Sequence, residues 1–194
     1  MPRGIEFDYE KAIDRATRLF WKKGYSNTST RELQKVMRIG YGSFYNTLKS
    51  KKKLYLECLK HYLDTVVRKR GTALFSEPSV KLGVRALFST ILDELDDPKS
   101  PRLCLVASSV SSDVLEISEL RRFISSQIAG FEDSFVERLK SAQAAGELPK
   151  QFEPNVVVQI IGIYIHGLFR TALIAYDRKQ FERQIDVFLT GLGL

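Results

Sequence analysis

Thr28, Ser29, Thr30 and Arg31 open a segment that closes with Gly40, Tyr41, Gly42, Ser43, Tyr45, Asn46, Lys49 and Lys51. Hydroxyls, a phenol, a carboxamide, a guanidinium and ammonium groups are the donors and acceptors that bond phosphate oxygens and base edges. Gly42 removes a side chain where a backbone would approach a sugar-phosphate wall, at about 1 kcal/mol of helix propensity. No comparable set points to catalysis. The chain has no acid–base pair at motif spacing, nucleophile elbow, metal-ligand cluster or phosphate-cradling glycine loop, and His61 and His166 are its only histidines. No catalytic residue, metal or cofactor is therefore expected. An all-α enzyme stays as the remote alternative.

Two short helices must position these groups. Thr28 or Ser29 can cap a helix that ends near Met37, and Ser29 with Glu32 three residues on fits a capping box. A second runs roughly from Tyr41 to Leu48, with Phe44 and Leu48 turned inward. Helix, tight corner and helix with a polar, aromatic outer face form the unit that reads the major groove of DNA. Lys51, Lys52 and Lys53 follow at the start of the next helix, where cations oppose the helix dipole. A docked phosphate would turn that cost into attraction.

The rest of the chain also reads as helices. Tyr9, Ile13, Ala16 and Phe20 predict a first helix from about Asp8 to Lys23, stopped by Gly24 in a left-handed conformation. Ser50 caps a long fourth helix, with a break at Gly71 and Pro78. Further helices carry Val80 to Leu95, a short piece after Pro101, Leu120 to Leu139, an apolar run from Pro154, and Phe181 to Leu192. No segment alternates convincingly with a period of two. The expected fold is all-α.

Charge separates the two ends. Residues 1–70 hold 17 Lys and Arg against 7 Asp and Glu, a net of +10, whereas the remainder nets −3. A polyanion partner for the first part alone explains that asymmetry. Two cysteines make no disulfide framework, and the charged amino terminus holds no apolar export signal, so a cytoplasmic location is expected. Val156 to Ala175 is apolar, but Gln159, His166 and Arg170 interrupt it, so no membrane span is expected.

The segment from about Tyr9 to Tyr62 resembles the DNA-binding head of the tetracycline-repressor (TetR) family of bacterial transcription regulators. Ala16–Leu19–Phe20, Gly24–Tyr25, Thr28–Ser29, Leu33, Gly42–Ser43–Phe44–Tyr45 and Lys49–Ser50–Lys51 carry the likeness. It implies a helix-turn-helix domain over 1–50 and a helical regulatory, ligand-binding and dimerisation domain over 51–194. It further implies a homodimer on a palindromic duplex operator, acting as a repressor and released by a small-molecule effector. The corner departs from the family, with Met37–Arg38 where a small residue and a glycine are common. Gly40 also stands where a serine or threonine cap is usual.

The apolar helix after Pro154 carries two stripes. Val157, Ile161, Tyr164, Leu168, Ala172 and Ala175 form one, and Val156, Ile160, Ile163, Gly167, Thr171 and Ile174 the other. One face is expected to meet the chain's own core and the other a second copy, the alternative being a helix wholly internal to a monomer. The expected dimer contacts are Val156, Ile160, Ile163, Gly167 and Thr171, with Phe181, Ile185 and Phe188 from the last helix. Candidate effector contacts are Phe88, Leu103, Phe123, Gln127, Tyr164, His166 and Phe169, aromatic or polar groups on otherwise apolar helices. Cys104, two residues from Arg102, gives an alternative reading as a thiol-based redox regulator.

Overall fold

The structure is a computed structural model, and it describes residues 7–194. In chain order its helices are α1 (Tyr9–Lys23), α2 (Thr30–Met37), α3 (Tyr41–Leu48), α4 (Lys51–Tyr62), a π turn (Leu63–Val67), α5 (Arg68–Ser76), α6 (Val80–Asp96), α7 (Leu105–Ser108), α8 (Ser112–Leu115), α9 (Ser118–Ala144), α10 (Pro154–Ala172) and α11 (Arg178–Gly191). No strand occurs among the described residues. The caps explain several starts. The side chains of Asp8, Ser50, Ser79 and Asp177 each accept a backbone N–H from the first turn of the helix that follows. Gly24 stops α1 at φ +79° and ψ 173°, a positive-φ extended region that is nearly exclusive to glycine rather than the left-handed helical one expected.

Two compact units make up the chain. Among the described residues the first holds 7–66 and 104–124, and the second holds 67–103 and 125–194. Packing thus groups α4, α7, α8 and the start of α9 with the helix-turn-helix.

In the first unit Ala16, Phe20, Leu33, Phe44, Leu54, Tyr55, Cys58 and Leu59 are buried together. Phe20 meets Tyr55 edge-on at 4.7 Å between centroids, and Tyr25 lies 4.9 Å from the same ring. Ser109 is fully buried and donates to the Leu105 carbonyl at 2.7 Å. Its oxygen is therefore left to accept from the Tyr55 hydroxyl, 2.6 Å away. Burial pushes that phenol up to about 12.

In the second unit α5 crosses α6 at Gly83, whose Cα faces the Leu74 carbonyl oxygen so closely that a Cβ would lie 2.3 Å from it. The buried Arg70 guanidinium donates from Nε to Glu94 Oε1 at 2.9 Å and lies 5.0 Å over the Phe169 ring. Pairing is what makes a buried charge tolerable. Gly71 does not break a helix: it sits inside α5, which continues to Ser76 and stops before Pro78. The interruption comes earlier, as the π turn, where the Thr65 hydroxyl donates to the His61 carbonyl at 2.7 Å.

These two glycines should respond oppositely to alanine. Gly83→Ala forces a methyl into backbone and should lower stability by about 2 kcal/mol or more. Gly71 has nothing within 4 Å of a built Cβ, so Gly71→Ala should stabilise by up to about 1 kcal/mol. Chemical denaturation of the two variants checks the contrast.

Candidate nucleic-acid interface

Phe44 and Leu48 are buried one turn apart on α3, which fixes how the helix is rotated. Tyr41, Gly42, Ser43, Tyr45 and Asn46 are consequently exposed, with Tyr41 at 70%. The Tyr41 and Tyr45 rings lie 4.6 Å apart, and Tyr45 also meets Phe44 edge-on at 5.2 Å. Each ring thus rests against a neighbouring ring on an exposed residue. Gly40 precedes the helix in extended conformation, with no side-chain cap. The first-turn amides of α3 are left free for an outside acceptor.

Each helix of the pair is closed at its C-terminal end by a cationic residue at positive φ. Arg38 caps α2 in the left-handed region at φ 59° and ψ 44°, and Lys49 follows α3 at φ 63° and ψ −45°. Both side chains are exposed.

The start of α2 is a full capping box. Ser29 Oγ accepts from the Glu32 amide at 3.2 Å, and Glu32 Oε2 accepts from the Ser29 amide at 2.9 Å. Lys23 donates to the same carboxylate. That ammonium and the Ser29 bonds pull the Glu32 carboxyl down to about 2. The exposed Arg31 and half-buried Thr30 stand on the next positions.

Thr28 was expected on this surface and is not there. Its side chain is fully buried, and its hydroxyl donates to the Gly24 carbonyl at 2.7 Å. The lysine run is also less open than expected. Lys51 is half-buried, its ammonium 4.3 Å over the Tyr25 ring, and burial holds its pKa down. Lys52 pairs with Glu119 at 2.8 Å. Lys53 stays exposed.

In the second unit α10 follows its two stripes in part: Tyr164 of the inner stripe is half-buried, Ala175 is exposed beyond the helix end, and Val158 and Phe169, in neither stripe, are buried. Val157, Ile161, Leu168 and Ala172 are buried, whereas Val156, Ile160, Ile163, Gly167 and Thr171 are exposed, with Ile163 at 72% and Ile174 at 89%. On α11 the expectation needs correcting. Phe181 and Ile185 are internal at 2% and 5% exposure, so they cannot form the outer face; Val187 does, at 76%, and Phe188 is half-buried. Periodicity found the apolar stripe of α11, and that stripe is the one the monomer's own core takes.

The expected effector contacts scatter. Phe88 and Phe169 are buried, Leu103 and Phe123 half-buried, and Gln127 and His166 exposed. Tyr164 stacks on Phe188 at 3.9 Å and lines an open groove of about 630 Å³ with Gln180, Arg183, Gln184, Val187 and Phe188. Cys104 is buried, and the Arg102 guanidinium is engaged by the Leu95 carbonyl at 3.1 Å and the Tyr176 ring, so the thiol-switch alternative is not favoured. No helix among the described residues is long and apolar enough to cross a membrane, and no cluster of three or more His, Cys, Asp or Glu is placed to hold a metal.

Residues 12–58 match the family model described as bacterial regulatory proteins, tetR family. The whole chain is similar to an uncharacterized HTH-type transcriptional regulator, YezE, of Bacillus subtilis (strain 168), at 28% identity over 99% of this chain and 100% of that protein. It is 24% identical to the HTH-type transcriptional repressor ComR of Escherichia coli (strain K12), over 97% of this chain and 89% of that one. Among solved structures, a cysteine mutant of the TetR family transcriptional regulator CifR, complexed with 26-bp double-strand operator DNA, superposes with a TM-score of 0.88. It is 26% identical, over 99% of both chains. These relatives are regulators rather than enzymes.

The Glu32 carboxyl gives this site a pH signature. Its folded pKa lies below the ordinary 4.5, so its contribution to stability is complete above pH 4.5 and is lost as pH falls toward 2. A carboxyl-resolved NMR titration should place the Glu32 midpoint near 2, and Ser29→Ala should move it back toward 4.5. A midpoint of 4.5 in the unaltered chain contradicts the capping geometry.

Proposed function

We propose that this chain, which belongs to the tetR family of bacterial regulatory proteins, is a repressor that grips a palindromic operator as a homodimer and lets go when a small molecule binds its second unit. The observation that carries the reading is α3 itself: two residues anchor it, and five polar, aromatic or glycine positions face outward. Tyr41, Gly42, Ser43 and Asn46 are the residues for base edges and the adjoining sugar-phosphate wall. Tyr45, Lys49, Lys51, Ser29, Thr30 and Arg31 are those for phosphate oxygens, with the α2 amide ends adding partial positive charge. The net +10 of residues 1–70 supplies the long-range attraction.

The homodimer rests on the exposed apolar face. Val156, Ile160 and Ile163 of α10, Ile174 just beyond its end and Val187 of α11 are large apolar side chains left exposed to water. A twofold dimer can set two copies of α3 about 34–36 Å apart, the separation of successive major-groove turns. Repression follows the sign named for ComR and for DhaR of Mycobacterium sp. (strain GP1). Release by an effector is what the family resemblance implies.

Two measurements test this. Fluorescence anisotropy on duplex selected from a random pool should give an association constant that falls steeply with salt, and Tyr45→Phe should weaken binding about fivefold, as for one lost hydrogen bond. Salt-independent binding, or none, sinks the DNA reading. Sedimentation of Ile163→Glu with Ile174→Glu should show monomer where the parent is dimer; a parent that sediments as monomer sinks the assembly.

A further inference from the structure

Arg38 stands in a backbone conformation that favours glycine. Its φ of 59° and ψ of 44° lie in the left-handed region, which crowds any side chain with a Cβ. The corner between α2 and α3 therefore carries an arginine at a conformational cost that glycine would not incur. Nothing among the described residues repays it. The side chain is exposed, and no hydrogen bond or ion pair joins its guanidinium to a described residue. The apolar part of the turn is supplied by its neighbours, Met37 and Ile39, both buried. The Arg38 amide does the capping, donating to the Lys35 and Gln34 carbonyls, and any residue but proline has that amide. The fold uses the Arg38 backbone and leaves its side chain unused.

Position supplies the missing use. Arg38 lies two residues before Gly40, the residue that precedes α3, so an exposed cation is carried on the corner three residues before the leading turn Tyr41–Ser43. Gly40 and Gly42 leave that approach free of side chains. With five N–H donors in a planar fork and a permanent charge, guanidinium suits a phosphate oxygen pair better than ammonium does.

We infer that Arg38 is a DNA-contacting residue, its guanidinium binding a backbone phosphate beside the groove that α3 enters. The inference rests on the DNA reading proposed above and adds a contact outside the two helices. It also accounts for a strained arginine at the corner, since strain persists where function needs the side chain. A phosphate contact carries no base preference, so its loss weakens all duplexes alike.

The experiment pairs stability with binding. Arg38→Gly and Arg38→Lys are compared with the parent by thermal unfolding and by salt titration against two duplexes of equal length, one selected from a random pool and one unselected. Arg38→Gly should melt at a higher temperature than the parent. It should bind both duplexes about 5- to 10-fold more weakly, and its slope of log K against log salt should be shallower by about one. Arg38→Lys should keep the parent's slope and gain no thermal stability. Unchanged affinity and slope in Arg38→Gly, while the parent binds DNA with steep salt dependence, overturn this inference alone. A loss confined to the selected duplex overturns the phosphate assignment in favour of base reading. If the parent shows no salt-dependent binding, the DNA reading falls and this inference with it.

Discussion

An eight-residue helix has too few hydrogen bonds to repay its own nucleation in water, so α3 exists because Phe44 and Leu48 are buried. That burial sets more than stability. With those two positions locked inward, the helix cannot rotate about its axis, and Tyr41, Ser43, Tyr45 and Asn46 are fixed on the outside. Extended Gly40 before it and Lys49 at positive φ after it bound the helix at two turns. The proposed reading surface is thus the complement of a packing decision made by two apolar side chains.

The same unit recruits residues far along the chain. Tyr55 is bonded to Ser109, Ser26 to Asp113, and Lys52 to Glu119. These links hold α7, α8 and the start of α9 against the helices that flank α3, so the head is not an autonomous three-helix piece. They also decide which cations are available. A phosphate meeting Lys52 must displace a carboxylate, and one meeting Lys51 must approach an ammonium already lying over Tyr25. Lys49, Lys53, Arg31 and Arg38 carry the unengaged charge beside the reading helix.

Features written in short spacing were legible in the sequence. Ser29 and Glu32, three apart, announce a capping box because reciprocal bonding needs that separation, and the structure has it. Phe44 and Leu48 announce the inward face of α3, and the alternating stripes of α10 announce a buried and an exposed side. Features set by contacts distant in sequence, or by local competition, were not. Thr28 looks like a free hydroxyl until the Gly24 carbonyl takes it into the interior. Phe181 and Ile185 form a clean apolar stripe, but spacing cannot tell a core stripe from a partner-facing one. Gly71 resembles a breaker, whereas the helix continues through it, held by packing against α6. The π turn at Leu63–Val67 has no sequence mark beyond a threonine that can bond back four residues.

The central claim is that the outer face of α3, flanked by the start of α2, is where duplex DNA meets this chain. Backbone-amide chemical-shift mapping during titration with duplex selected by the protein tests it most directly. The account predicts the largest changes at Tyr41, Gly42, Ser43, Tyr45 and Asn46, with a second group at Ser29, Thr30 and Arg31. Strong changes centred on α10 and α11, with α3 unmoved, would contradict it.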